Sequence, residues 1–182
     1  MQRAILAVAV AVLFSLPAQG VTCFRCMCNY AVNGNFTNSS TWSFSNCGSG
    51  AYCGTVQQTD PCGAFTWMAQ ITYPGTTIKM QQVTFPSTAG PIFTIDFDII
   101  AYTIPGSWFD ELRVYVKDVG TGSLDLIGAV HGSQLTSGCQ RFSLQTSKSY
   151  AGKTVELQFV TGSLGTMTWY LDNVAFWEGY YC

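Results

Sequence analysis

Charge is scarce in this sequence. Of 182 residues, 8 are Lys or Arg, 10 are Asp or Glu and 1 is His. The basic residues stand apart from one another between Arg3 and Lys153. Binding a polyanion needs a stripe of cations to neutralise its phosphates, so nucleic acid is excluded as a partner. Histidine is nearly absent too. The lone His131, in Ala129-Val130-His131-Gly132-Ser133, has no evident orienting group, which argues against a hydrolase triad. Long apolar runs are missing beyond the first twenty residues, with no stretch of 18 uninterrupted apolar residues. Trp177-Glu178-Gly179-Tyr180-Tyr181-Cys182 is not the hydrophobic tail of a lipid-anchor signal, so no membrane insertion is expected once the leader is removed.

That leader occupies residues 1–20. Arg3 supplies a positive start and Ala4 to Leu16 an apolar run of 13 residues, too short to span a bilayer. Ala18-Gln19-Gly20 puts small residues at the cleavage positions, so a mature chain is expected over 21–182, secreted and extracellular. Removing Arg3 leaves 8 − 1 = 7 basic residues against 10 acidic ones, a net charge of −3. All 8 cysteines follow the leader, namely Cys23, Cys26, Cys28, Cys47, Cys53, Cys62, Cys139 and Cys182. An even number in a secreted chain predicts four disulfides, concentrated in a Cys-rich part at 21–62, with the pairing left open. Cys23-x2-Cys26-x-Cys28 also has the look of a zinc knuckle, but there is no second Cys-x2-Cys, and His131 is the one histidine, so nothing completes a tetrahedral site.

Strand patterns dominate what remains. Phe93-Thr94-Ile95-Asp96-Phe97-Asp98-Ile99 alternates without a break, placing four apolar side chains on one face and Thr94, Asp96 and Asp98 on the other. Leu112 to Lys117 and Thr154 to Phe159 repeat the pattern between Gly, Ser and Asp turns. Further strands are expected at Trp67 to Tyr73, Thr77 to Phe85, Leu124 to Val130, Arg141 to Leu144 and Thr168 to Phe176, joined by turns such as Pro74-Gly75 and Gly120-Thr121-Gly122. About eight short, evenly spaced strands over residues 67–176 predict an all-β fold, one domain of two packed antiparallel sheets.

Four segments in order resemble the galactose-binding-like jelly rolls, a group that includes many carbohydrate-binding modules. Asn33-Gly34-Asn35-Phe36 with Trp42-Ser43-Phe44 resembles the opening Asn-Gly-x-Phe and downstream Trp, and Phe93 to Ile99 the central strand. Tyr150-Ala151-Gly152-Lys153-Thr154-Val155 with Leu157 and Phe159 is similar to a later strand, and Tyr170-Leu171-Asp172-Asn173-Val174 to the closing one. The resemblance implies a jelly-roll sandwich carrying a disulfide-rich N-terminal segment. It also implies a structural Ca²⁺ shared by Asp172 and oxygens of the 33–36 loop, including Asn33 and Asn35, since Ca²⁺ takes hard oxygen ligands. Thr37 stands where the family often has an acidic residue, which removes one charge from that set. The alternative for Asp172 and Asn173 is a hydrogen-bonded strand bulge. Independently, Asn35-Phe36-Thr37 and Asn38-Ser39-Ser40 are N-glycosylation sequons in a polar stretch, so Asn35 and Asn38 are candidate glycan attachment sites of a glycoprotein.

Aromatic residues make up 14 % of the chain. Most would fill the core. Some, set among polar groups on the outer phase of the strands, would suit sugar, whose apolar C–H face stacks on rings while its hydroxyls meet carboxylates, amides and guanidinium groups. Asp96, Asp98, Tyr102, Arg113, Tyr115, Glu156, Gln158 and Tyr170 form that outer set, with salt links such as Arg113 to Glu156 or Asp98 as the purely structural alternative. A loop patch of Tyr102, Trp108 and Phe109 around Pro105-Gly106 is the rival site. Asp96 and Asp98 point to one side of a single strand, about 6.5–7 Å apart, and do not flank a scissile bond from opposite sides, so no enzyme is expected. Two functions remain: a secreted, lectin-like, non-enzymatic glycan binder at the cell surface or extracellular matrix, or an extracellular structural or adhesion protein assembling through protein contacts.

Overall fold

The computed structural model describes residues 22–24, 27–31, 33–37, 39–48, 52–59, 65–72, 75–101, 109–162 and 167–179. The leader, Cys26, Cys62, Cys182, Asn38, Tyr102 and Trp108 lie outside the described residues. Among the described residues, thirteen strands run β1 (Thr22–Phe24), β2 (Met27–Asn29), β3 (Trp42–Ser45), β4 (Cys53–Thr59), β5 (Phe65–Ile71), β6 (Thr77–Met80), β7 (Val83–Thr84), β8 (Phe93–Ala101), β9 (Glu111–Asp118), β10 (Leu124–His131), β11 (Gly138–Gln145), β12 (Thr154–Thr161) and β13 (Trp169–Gly179). The described helical turns are two short 3₁₀ segments, Ser39–Thr41 and Gly132–Gln134. None is long and apolar enough to cross a membrane.

The strands form two antiparallel sheets. In sheet A, β13 is the spine: β8 pairs along one edge and carries β11, while β5 with β4 and β2 with β1 share the other edge end to end. In sheet B, β12 plays the same part, with β9 and β10 on one side and β7, β6 and β3 on the other. From β8 onward the chain passes between sheets as A, B, B, A, B, A, the connectivity of a jelly-roll sandwich.

The alternation read from sequence is the cause. Phe93, Ile95, Phe97 and Ile99 are buried between the sheets, and Leu112, Val114 and Val116 with Val155, Leu157 and Phe159 meet them from sheet B. Phe85 anchors an aromatic cluster, with ring centroids 4.4 Å from both Tyr30 and Phe93 and 5.3 Å from Phe176. Phe97 links the sheets by meeting Phe159 edge-on at 5.3 Å. These described rings are core, each adding directional contact to its buried area.

The described residues form more strands than the sequence pattern predicts. The Cys-rich part contributes four strands: β2 pairs with β13 and carries β1, β3 pairs with β6, and β4 pairs with β5. The strand expected from Thr77 to Phe85 is two, because the chain leaves the ladder at Gln81, whose N–H donates to Thr41 O at 2.7 Å. A disulfide joins Cys47 to Cys53, tying the end of β3 in sheet B to the start of β4 in sheet A. Cys28 and Cys139 are also disulfide-bonded. In β1 and β2, Cys23 stands opposite Cys28.

Candidate functional site

The expected outer set divides between two opposite faces. Along β4, β5, β13 and β8 the register aligns Gly54, Gln70, Tyr170 and Ile100, all pointing away from the core. Gly54 leaves room for Tyr52, whose hydroxyl lies 3.4 Å from where a Gly54 Cβ would stand. Tyr52 is 46 % exposed, and its hydroxyl donates to Thr55 O at 2.7 Å, which holds the ring along the sheet.

Beside this row lies a polar cluster. Arg141 on β11 faces Asp98 in register and reaches Asp98 Oδ1 at 3.3 Å and Asp96 Oδ2 at 3.6 Å. Asn173 Nδ2 donates to Asp98 Oδ2 at 2.9 Å, so guanidinium, carboxylate and amide form one chain across three strands. Arg141 and Asn173 are exposed, whereas Met68 and Ile100, on the same outer phase, are buried. The face is therefore covered over an apolar centre and open at Tyr52 and along Arg141, Asp98 and Asn173.

The remaining outer residues belong to sheet B. Arg113, Tyr115, Glu156 and Gln158 project there, with Tyr115, Gln158, Lys79 and Ser43 aligned across four strands. The expected links of Arg113 to Glu156 or Asp98 are not made. Asp98 is on the other sheet, and in register Glu156 faces Lys117. Arg113 instead pairs with Glu111 at 2.6 Å, and that hydrogen bond raises its pKa above the ordinary arginine value. Gln158 is buried and its amide donates to Glu156 Oε1. Of the loop patch, Phe109 is described and is 67 % exposed, while Tyr102 and Trp108 lie outside the described residues. His131 ends β10 opposite Glu111, which Arg113 already engages.

The loop at Asn33–Phe36 does meet the closing strand. β13 is interrupted between Asp172 and Ala175, with Asn173 at φ 49°, and Val174 N–H donates to Gly34 O at 2.9 Å. The oxygens nearby are of the hard type that Ca²⁺ takes. They are also satisfied by the protein: Asp172 accepts from Thr66 Oγ1 at 3.0 Å and Asn173 N–H at 2.7 Å, and Thr37 Oγ1 lies 2.7 Å from Asn33 Oδ1 and 3.2 Å from Asn35 Oδ1. Asn33 O accepts from Trp42 Nε1 at 2.9 Å and Phe36 N–H at 3.0 Å. A bound ion would replace several of these hydrogen bonds, and Thr37 stands among them as a donor where an acidic side chain would be a ligand. Asn35 is exposed, as attachment of a glycan requires.

The sequence pattern does not single out Arg141, Gln70 or Tyr52, and it marks Asn173 only as a candidate bulge residue. The polar phase of Arg141, Ser143 and Gln145 was visible in the sequence, but its place beside β8 depends on strand order.

Neither a protein-family model nor a curated protein sequence matches the chain. Solved structures do match in shape. A xylan-binding module of the CBM15 type aligns with TM-score 0.55 at 11 % identity, covering 84 % of this chain and 95 % of that one. The fold is the galactose-binding-like jelly roll. The CBM61 module solved with β-1,4-galactotriose shares this jelly roll at TM-score 0.54 and 18 % identity, covering 81 % and 97 %. So does the K3 cleaved adhesin domain of Lys-gingipain from Porphyromonas gingivalis, at TM-score 0.55 and 15 % identity, covering 83 % and 98 %. Other matches are larger: the chain spans 21 % of a bacteriophage CBA120 tailspike protein and 23 % of an arabinofuranosidase.

Proposed function

We propose that the chain is a secreted, non-enzymatic carbohydrate-binding module whose glycan site is the outer face of sheet A. The observation that carries this reading is the shared face itself: Tyr52 and Tyr170 beside Gln70, Arg141, Asp98 and Asn173. Rings offer a surface to the C–H side of a pyranose, and the flanking groups both donate to and accept from hydroxyls. Pairing with Arg141 leaves the two carboxylates in excess by one, which favours neutral over acidic sugars. Similarity of fold to modules described as xylan-binding or solved with galactotriose supports the same choice. Extracellular location is supported by the disulfides at Cys28, Cys47, Cys53 and Cys139, since such bonds persist in oxidising compartments.

Titration calorimetry with the β-1,4-linked tetrasaccharides of galactose, xylose, glucose and N-acetylglucosamine tests this. At least one should bind, and Tyr170→Ala should weaken it about tenfold, the equivalent of about 1.4 kcal/mol of lost ring contact and burial. Full affinity in Tyr170→Ala combined with loss in Trp108→Ala would move the site to the loop patch. A structural Ca²⁺ at Asp172 and the 33–36 loop belongs to the same proposal. Adding CaCl₂ after chelation should raise the thermal midpoint of the wild type and not that of Asp172→Asn.

A second reading, an extracellular adhesion or structural protein, is favoured by Leu124 and Leu126, which are 50 % and 57 % exposed on edge strand β10. Exposed apolar residues on a sheet edge invite pairing with another chain. Light scattering would support it by showing an oligomer that Leu126→Lys dissociates.

A further inference from the structure

A groove of about 280 Å³ opens on the outer face of sheet B, on the opposite side of the sandwich from Tyr170. Ser43, Lys79, Gln81, Gln82 and Glu156 line it, carried by β3, β6, the segment after β6, and β12. This volume sits near the lower end of the about 300–1,000 Å³ of small-ligand sites, which suits a short ligand.

The lining has unused hydrogen-bonding capacity. Of the described Lys and Arg residues, Arg113, Arg141, Lys148 and Lys153 are ion-paired. Lys79 and Lys117 are not, and among the described residues neither the Lys79 ammonium nor the side-chain amides of Gln81 and Gln82 bond to protein. Glu156 is held in place by the Gln158 amide and keeps acceptor capacity toward the groove. Lys79 and Glu156 offset each other in charge, so the groove suits neither a strong anion nor a strong cation. What matches an ammonium, a carboxylate, two amides and a hydroxyl together is a neutral ligand rich in hydroxyls, each of which both donates and accepts. The groove offers no ring face for stacking: Trp42 is 3 % exposed and its indole N–H is committed to Asn33 O.

We propose that this groove is a second saccharide site, gripping the edge or end of a neutral sugar chain through its hydroxyls, so that the module is bivalent. The proposal rests on the reading that the chain binds neutral glycans at the Tyr170 face. Two sites on opposite sheets would let one molecule bridge two glycan chains.

The test is an NMR titration of the full disulfide-bonded protein, produced without N-glycans, using the same four tetrasaccharides. Saturable shifts are expected at Ser43, Lys79, Gln81 and Gln82 and, as a separate set, at Gln70 and Tyr170. Lys79→Met with Gln82→Ala should weaken the groove set about tenfold or more and leave the other set unchanged, since a charged and a neutral hydrogen-bonding group are both removed. Tyr170→Ala should do the reverse. A silent groove with all four sugars, or groove shifts indifferent to the double variant, overturns the second site and leaves the first standing. Shifts at the groove alone keep it as a saccharide site and overturn the sheet A reading.

Discussion

Gly34 is held against the β13 bulge with no room for a side chain. A Cβ there would stand 1.7 Å from Val174 O, while the bond from Val174 N–H to Gly34 O keeps the two backbones together. Gly34→Ala must push the loop off the strand, and overpacking of this kind costs about 1–3 kcal/mol or more. A thermal midpoint equal to wild type would contradict that. Glu178 shows a different constraint. It is fully buried, with Oε2 accepting from Tyr30 O–H at 2.5 Å and Oε1 from Gly90 N–H at 2.9 Å. Tyr30→Phe removes one donor from a buried oxygen, with an expected loss of about 1–3 kcal/mol read from chemical denaturation. Neither constraint could be read from sequence. Gly34 was visible as part of a resembling motif, but the atom that excludes a side chain lies 140 residues away on β13.

Elements here are stabilised at their turns and edges as well as through the core. Asp118 closes the turn after β9: its Oδ1 accepts from the N–H groups of Gly120 and Thr121 at 3.0 and 3.2 Å, and its Oδ2 from Lys153 Nζ at 2.6 Å. The Lys153 hydrogen bond, more than any other influence, holds the Asp118 carboxyl below its ordinary value of 3.8. Asp125 on β10 is lowered mainly by Lys148, with Tyr150 helping, against the opposing effect of burial. A carboxyl whose folded pKa is depressed stabilises the fold fully above its unfolded value, and that contribution is lost as pH falls through the folded value. Denaturation midpoints should therefore decline on the acid side of 3.8, and Lys153→Met should flatten that decline. An unchanged acid limb in the variant would show that the Asp118 pair contributes nothing. The Cys47–Cys53 bridge works at the same scale. It spans only 6 positions in sequence, so the entropy it removes from the unfolded chain corresponds to about 2 kcal/mol. The Cys47→Ser, Cys53→Ser pair should lose about that much, although the bridge joins two sheets.

At the scale of the whole molecule, two back-to-back sheets give two outer faces, and the candidate residues are distributed between them. Asp96, Asp98 and Tyr170 share a face with Arg141, whereas Arg113, Tyr115, Glu156 and Gln158 share the other with Lys79. The two faces lie on opposite sides of the sandwich and share no residue, so variants on one face should act independently of variants on the other. In calorimetry, Tyr170→Ala combined with Lys79→Met should lower each site's affinity by the same amount as the corresponding single variant.

The sequence by itself determined the strand-rich, cross-linked character of this protein and the side of each later strand that faces the core. Alternation is a local property: Phe93, Ile95, Phe97 and Ile99 are buried because every second side chain of an extended chain points the same way. The strands of the Cys-rich part were not legible, because β1, β2 and β3 are only three or four residues long and β4 is mostly polar, so they depend on partners in β5, β6 and β13. Only the tertiary structure decided which polar residues meet. Arg141 lies beside Asp98, and Arg113 does not, because strand order sets neighbours across a sheet, and strand order comes from how two apolar faces close over one core.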